Sequence, residues 1–204
     1  MQNHFDYIKA ISWLEERGKQ TYGAQFVVEQ SDVLQIKKLI AYFVKDEATA
    51  LKHGISLTKG ILLSGPIGAG KSSLMNLMRF YESAQSRFVI KTCRDISFEF
   101  IQDGYEVIQK YSHRSFTNFE PRTYCFDDLG VENSLKFFGN ECNIMAEVLL
   151  SRYDLFISKK LITHVTTNLS ASEIEAAYGN RVRSRMREMF NLISFDKTTK
   201  DKRK

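Results

Sequence analysis

Apolar residues change rhythm along this chain near residue 55. Before that point they recur at helical spacing. Phe5, Ile8, Ile11 and Leu14 predict a helix over residues 4–18. Val33, Ile36, Ile40 and Phe43 predict a stronger one that starts near Ser31 and Asp32 and stops at Gly54. Beyond it, short apolar runs alternate with longer helical ones. The runs are Ile61-Leu62-Leu63, Phe88-Val89-Ile90, Tyr124-Cys125-Phe126, Leu161 to Val165, and Leu192-Ile193-Ser194-Phe195. The helical stretches between them are 71–83, then 95–112 broken near Gly104, then 141–157 and 172–189. Five short strands separated by helices predict an α/β fold with a mainly parallel sheet covered on both faces. The expected organisation is an N-terminal helical segment (1–55), an α/β core (56–196) and a basic tail (197–204).

Composition narrows the class. The 204 residues are 43% hydrophobic and 26% charged, which suits one soluble domain able to build its core without disulfides or metals. No apolar run approaches the roughly 18 to 20 residues of a membrane span, and Met1-Gln2-Asn3-His4 lacks a basic-then-apolar leader. Cys93, Cys125 and Cys142 are odd in number and widely spaced, so neither a disulfide framework nor a zinc site is expected. A cytoplasmic protein follows. The net charge of +5 is concentrated in the last eight residues, which carry +4. Such a tail can touch nucleic-acid phosphates, although a solvated, disordered end is the plainer reading.

The first strand runs straight into Gly65-Pro66-Ile67-Gly68-Ala69-Gly70-Lys71-Ser72, followed by Ser73. This is G-x-x-x-x-G-K-[ST] between a strand and a helix. Its glycines let backbone N–H groups turn inward around phosphates, and the helix presents its positive end. Lys71 would reach the β- and γ-phosphates and Ser72 would ligate Mg2+.

Two further strand ends carry polar chemistry. Tyr124-Cys125-Phe126-Asp127-Asp128-Leu129-Gly130 is an apolar strand ending in two acids, 56 residues after Lys71. Asp127 suits magnesium, and Asp128 suits orienting or deprotonating the attacking water. Asp and Gly also end strands with no such role. The fourth strand ends Val165-Thr166-Thr167-Asn168. Phosphate-loop ATPases of the additional-strand class insert this strand between the loop strand and the acidic one, and Asn168 then fits a γ-phosphate sensor. A turn-capping asparagine is the alternative.

Ser170-Ala171-Ser172-Glu173 reads as a capping box. Its helix breaks at Gly179-Asn180 and resumes as Arg181-Val182-Arg183-Ser184-Arg185-Met186-Arg187. Arg181 and Arg185 share one face, and Arg183 and Arg187 another. A guanidinium can stabilise charge on a transferred phosphoryl group and can come from a neighbouring subunit. A solvated basic face is the alternative.

On these residues the chain resembles the lidless AAA+ ATPases of the DnaC/IstB type, which include replicative-helicase loaders and transposition helper ATPases. The likeness spans roughly residues 55 to 196. It rests on the phosphate loop, Asp127-Asp128-Leu129-Gly130, Ser151-Arg152-Tyr153, Thr166-Thr167-Asn168-Leu169, and Tyr178-Gly179-Asn180-Arg181-Val182 with Ser184-Arg185. The resemblance implies a P-loop NTPase core with a five-stranded sheet, no C-terminal helical lid, ATP and Mg2+ as cofactors, and self-association with Arg185 as the finger beside Arg181. Asp128 stands where Glu is usual, with a shorter reach. Loaders elaborate the segment between the second and third strands to grip single-stranded DNA. Here residues 95–120 carry Phe98, Phe100, Tyr105, Tyr111, Phe116 and Phe119 with Lys110 and Arg114, and aromatics interleaved with bases can follow a phosphate backbone. At helical spacing the same aromatics can instead be core. The N-terminal segment is where such proteins hold a replicative helicase or a transposase; Gln25-Phe26-Val27-Val28 could instead pack near adenine.

The expected function is therefore an ATP-hydrolysing AAA+ protein acting on a DNA-bound partner as an ATP-dependent oligomer, with single- or double-stranded DNA as a further ligand. Lys71, Asp128, Asn168, Arg185 and Arg181 would carry catalysis. The rival is a nucleotide-gated DNA- or protein-binding module with little hydrolysis. A small-molecule kinase fits less well, because its arginine-rich lid should lie between core elements.

Overall fold

The structure, a computed structural model, describes residues 5–117, 120–132, 135–137, 140–196, 198–199 and 201–202. The chain divides into two compact units: residues 1–57, 65–87 and 193–204 form the first, and residues 58–64 and 88–192 the second.

Helices α1 (Tyr7–Tyr22), α2 (Val33–Phe43), α3 (Glu47–Lys52) and α4 (Lys71–Met78) build the first unit. Asp6 starts α1 by accepting the Lys9 N–H. The helix buries Ala10, Leu14 and Gly18, whereas Ile8 is 81% exposed, so the stripe through Phe5 and Ile8 does not face the core. The single long helix expected between residues 31 and 54 is two. Lys45 turns left-handed (φ 58°), and the Asp46 carboxylate caps α3 through the Thr49 N–H. The apolar period runs on through this point, but an aspartate that captures a free amide favours a new helix start over continuation. Ile36, Leu39, Ile40 and Phe43 of α2 are buried.

The parallel sheet consists of β1 (Gly60–Ser64), β2 (Val89–Thr92), β5 (Tyr124–Leu129), β8 (Thr163–Thr167) and β9 (Phe190–Ser194), in the order β2-β5-β8-β1-β9, and lies in the second unit except for the last two residues of β9. The last strand lies two residues earlier than the sequence pattern suggested, because Phe190 is already buried. Helices α5 (Cys93–Asp103), α6 (Glu106–Tyr111), α7 (Ile144–Lys159) and α8 (Ala171–Met189) flank the sheet. Two ribbons unforeseen in the sequence, β3 (Phe116–Thr117) with β4 (Glu120–Pro121) and β6 (Leu135–Phe137) with β7 (Asn140–Cys142), fill the connections. The α5–α6 break at Gly104 and the α8 break at Gly179 (φ 82°, ψ 160°) are as expected, and Ser170 and Glu173 make the anticipated capping box.

Strand β8 is inserted between β1 and β5, with Leu62, Leu63 and Ser64 paired to Val165, Thr166 and Thr167. It is wholly buried yet mostly polar, so each polar side chain must find a partner. Thr163 accepts from Arg152 Nε at 2.7 Å, and His164 Nδ1 accepts the Ile61 N–H at 3.0 Å. Thr166 and Thr167 bind β5, as described below. Around the sheet, Ile96, Phe100, Phe126, Met145, Leu149 and Val165 form a core in which each is at most 1% exposed.

Candidate functional site

The phosphate loop belongs to the first unit. Strand β1 ends at Ser64, and α4 begins at Lys71. Between them Gly68 (φ 83°) and Gly70 (φ 82°) adopt left-handed conformations that side chains disfavour, and these let successive N–H groups converge. Gly70 is also the residue preceding α4, so the loop closes onto a helix N-terminus. Lys71 is 5% exposed, and its Nζ donates to Gly65 O and Pro66 O, both at 2.9 Å. Ala69 is fully buried, Ile67 projects outward, and Ser72 and Ser73 are half-buried in the first turn of α4. A buried ammonium beside the amides of a helix N-terminus supplies donors of the kind an anion takes.

The acidic tip belongs to the second unit. Asp127 is 7% exposed, and its Oδ1 accepts from Thr166 Oγ1 at 2.6 Å. The same hydroxyl accepts the Asp128 N–H at 2.9 Å, so one threonine holds both acids. Asp128 sits at φ 55°, where the register between β5 and β8 shifts. One step on, Thr167 Oγ1 donates to Leu129 O at 2.7 Å and accepts the Leu169 N–H at 3.0 Å. Asn168, between these two anchored residues, is half-buried. Sequence reasoning quoted Thr166 but gave it no role, and it passed over Glu132. That carboxylate accepts the Gly130 N–H at 2.9 Å and the Tyr178 hydroxyl, and burial raises its pKa above the usual 4.5. The only sequence signal for it is a third acid just past the glycine that ends the strand. Burial, reinforced by Glu132 and Asp127, also pushes the Cys93 thiol well up, which leaves it unreactive.

The arginines of α8 have unequal fates. Arg181 and Arg187 are exposed. Arg183 pairs with Glu175. Arg185 stacks over Tyr153 at 4.3 Å and donates to its hydroxyl at 3.0 Å, and Tyr153 donates to Glu188 at 2.7 Å. The remaining arginine of the quoted motifs, Arg152, is fully buried. It donates to Thr163 Oγ1, Ser115 Oγ and the carbonyls of Tyr111, Arg122 and Ile162. Burial lowers its pKa to about 9, so it stays charged at neutral pH.

Of the aromatics considered for DNA, Phe100 and Tyr111 are buried in the core, Phe98 and Tyr105 are exposed, Lys159 lies over Phe116 at 4.6 Å, and Phe119 lies outside the described residues. Lys110 pairs with Glu99 and Arg114 with Glu106. Both cations line an open hollow of about 440 Å³ with Asp103, Glu106 and Val107, so its charge is mixed. Among the described residues no helix is long and apolar enough to cross a membrane, and no three His, Cys, Asp or Glu side chains gather as a metal cage.

No family model matches the chain, and no curated protein matches it. Solved structures do. The DnaC helicase loader aligns over 89% of this chain and 99% of its own, with 18% identity and a TM-score of 0.54. DnaI aligns over 96% of this chain and 88% of its own, with 18% identity and a TM-score of 0.50. AMPPCP-bound DnaA from Aquifex aeolicus aligns over 84% of this chain, with 18% identity and a TM-score of 0.53; the chain spans 48% of that protein. The α/β fold, with its five-stranded parallel sheet flanked by helices, is similar to the folds of the DnaC helicase loader, DnaI and DnaA.

Proposed function

We propose that this chain is an ATP-binding AAA+ protein that hydrolyses ATP slowly on its own and acts, as an ATP-dependent oligomer, on a DNA-bound protein of the replicative-helicase or transposase kind. The observation that carries the reading is the Gly65–Ser72 loop, with two left-handed glycines and a buried Lys71 whose ammonium donates to the carbonyls of Gly65 and Pro66. The similarity to a DnaA that holds AMPPCP supports the choice of nucleotide. Similarity to the DnaC helicase loader supports the choice of partner.

The residues suit the groups they would hold. The loop amides and Lys71 bind phosphates. Ser72 offers a hydroxyl and Asp127 a carboxylate to Mg2+, a metal that commonly takes only one or two protein oxygens beside phosphate and water. Bound ATP-Mg2+ supplies an activated phosphoanhydride. Asp128 orients the attacking water and accepts its proton, Asn168 senses the γ-phosphate, and Arg185 with Arg181 serves a neighbouring subunit. Exposed Arg181 is ready for that role, whereas Arg185 must first leave Tyr153.

The experiment is a paired measurement of ATP affinity and ATPase rate against protein concentration, with and without DNA. Asp128→Asn should keep affinity and lose turnover. Arg185→Ala should keep affinity and lose the concentration-stimulated part of turnover, and unchanged stimulation would remove it from the finger role. The short reach of Asp128 and the occupied state of Arg185 favour a second reading, a nucleotide-gated binding module. Hydrolysis that stays undetectable with DNA, alongside ATP-set DNA affinity, would select it.

A further inference from the structure

The tail was expected to be a solvated end, but two of its residues are docked on the phosphate loop. All the contacts involved lie within the first unit. After β9, Phe195 packs against Gly65, where a β-carbon would lie 2.8 Å from its Cβ. Asp196 then reverses the chain, its carboxylate accepting from Thr198 N at 2.8 Å and Thr198 Oγ1 at 2.6 Å. The Lys202 N–H donates to Gly68 O at 3.0 Å. Its ammonium pairs with Asp32 and lies 5.5 Å from the Phe195 ring centroid. Asp32 is 1% exposed, and a carboxylate that deep in the fold strongly favours a cationic partner. Lys202 is thus an anchored residue, unlike a charge in a solvated run.

Anchoring Lys202 fixes where its neighbour goes. The Asp201 carboxylate lies against Gly68 so closely that any β-carbon there would collide with it. With the Lys202 charge matched by Asp32, the tail presents a carboxylate to a loop whose amides and Lys71 suit an anion. A carboxylate at that place repels an incoming triphosphate.

We propose that Asp201 and Lys202 form an intrachain strap on the phosphate loop that competes with nucleotide, Lys202 anchoring it in Asp32 and Asp201 opposing the phosphates. The strap rests on the reading of the loop as a nucleotide site. Nucleotide binding and tail release are then one equilibrium, and whatever draws the tail away raises affinity for ATP.

The test uses the full chain and a fluorescent ATP analogue with magnesium. Asp201→Asn, at an exposed position, should tighten binding by about three- to tenfold. Glu16→Gln, an exposed change on α1 that alters net charge equally, should leave affinity within about twofold. Amide exchange at Lys202 should accelerate when wild-type protein is saturated with ATP. Equal affinity of Asp201→Asn and wild type, an equal gain in Glu16→Gln, or unaltered exchange at Lys202 would each overturn the strap while leaving nucleotide binding intact. If neither wild type nor Asp201→Asn binds any nucleotide, the reading of the loop falls and the strap falls with it.

Discussion

The phosphate loop and the tip of β5 both hold polar groups still, with different materials. In the loop, shape is set by backbone: two left-handed glycines, and a lysine whose carbonyl partners lie five and six residues away. At the tip, shape is set by side chains from a strand far along the chain. Thr166 reaches Asp127 and Asp128 across 39 and 38 residues. A local device announces itself in one short stretch of sequence and tolerates change elsewhere. A device made by strand pairing depends on a partner that no local pattern reveals.

The contrast can be broken or sharpened by experiment. The largest effect is expected where side-chain networks in the sheet unit are most committed. Arg152→Met strips donors from five acceptors, three of them in buried bonds, and should cost about 3–5 kcal/mol in urea unfolding. A loss below about 1 kcal/mol would show that these carbonyls find other donors and that the network matters less than its geometry suggests. On the loop side, Lys71→Ala removes a single charge and should weaken ATP binding by roughly fiftyfold to a hundredfold, read by calorimetry. Next comes Thr166→Val, which keeps shape but deletes the hydroxyl that serves both acids. It should cost about 1–3 kcal/mol and slow turnover, with Thr166→Ser restoring both. Full turnover in Thr166→Val would mean that the acids hold their places unaided.

The smallest effect is a pH dependence. Burial raises the folded-state pKa of Glu132 above its ordinary 4.5, so the folded chain binds this proton more tightly than the unfolded chain does. Its favourable contribution is present below the unfolded value and is lost as pH rises through the folded value. Glu132→Gln does not titrate. Its urea midpoint relative to wild type should therefore improve between about pH 4 and pH 7, and a difference independent of pH would contradict the role of burial.

Much of this molecule is legible in its sequence, and the exceptions share a cause. The alternation of apolar runs with helical stretches gives the five strands, and Gly104 and Gly179 mark real breaks. Periodicity fails where a side chain intervenes locally, as when Asp46 captures the Thr49 N–H and divides one expected helix into α2 and α3. It fails again where an apolar stripe has no partner, as at Ile8. Phe100 and Tyr111, in the same aromatic stretch as exposed Phe98 and Tyr105, are core residues, and no count of aromatics distinguishes the two pairs. Arginines diverge for the same reason. Arg152, quoted for the resemblance but given no role, lies fully buried among carbonyls and hydroxyls, while Arg181 in a basic stretch meets solvent.

By itself the sequence determined the loop, because its shape resides in glycine conformations and one lysine within eight adjacent residues, and it determined the class of sheet, because the order of apolar runs limits how strands can cross over. Only the tertiary structure decided that β8 would carry Thr166 to the two aspartates, that Glu132 would meet the Tyr178 hydroxyl, and that Lys202 would find Asp32. Each of these joins residues separated by dozens of positions. A buried polar group must be satisfied by whatever the fold brings beside it, and that neighbour is chosen by packing rather than by the chain around it.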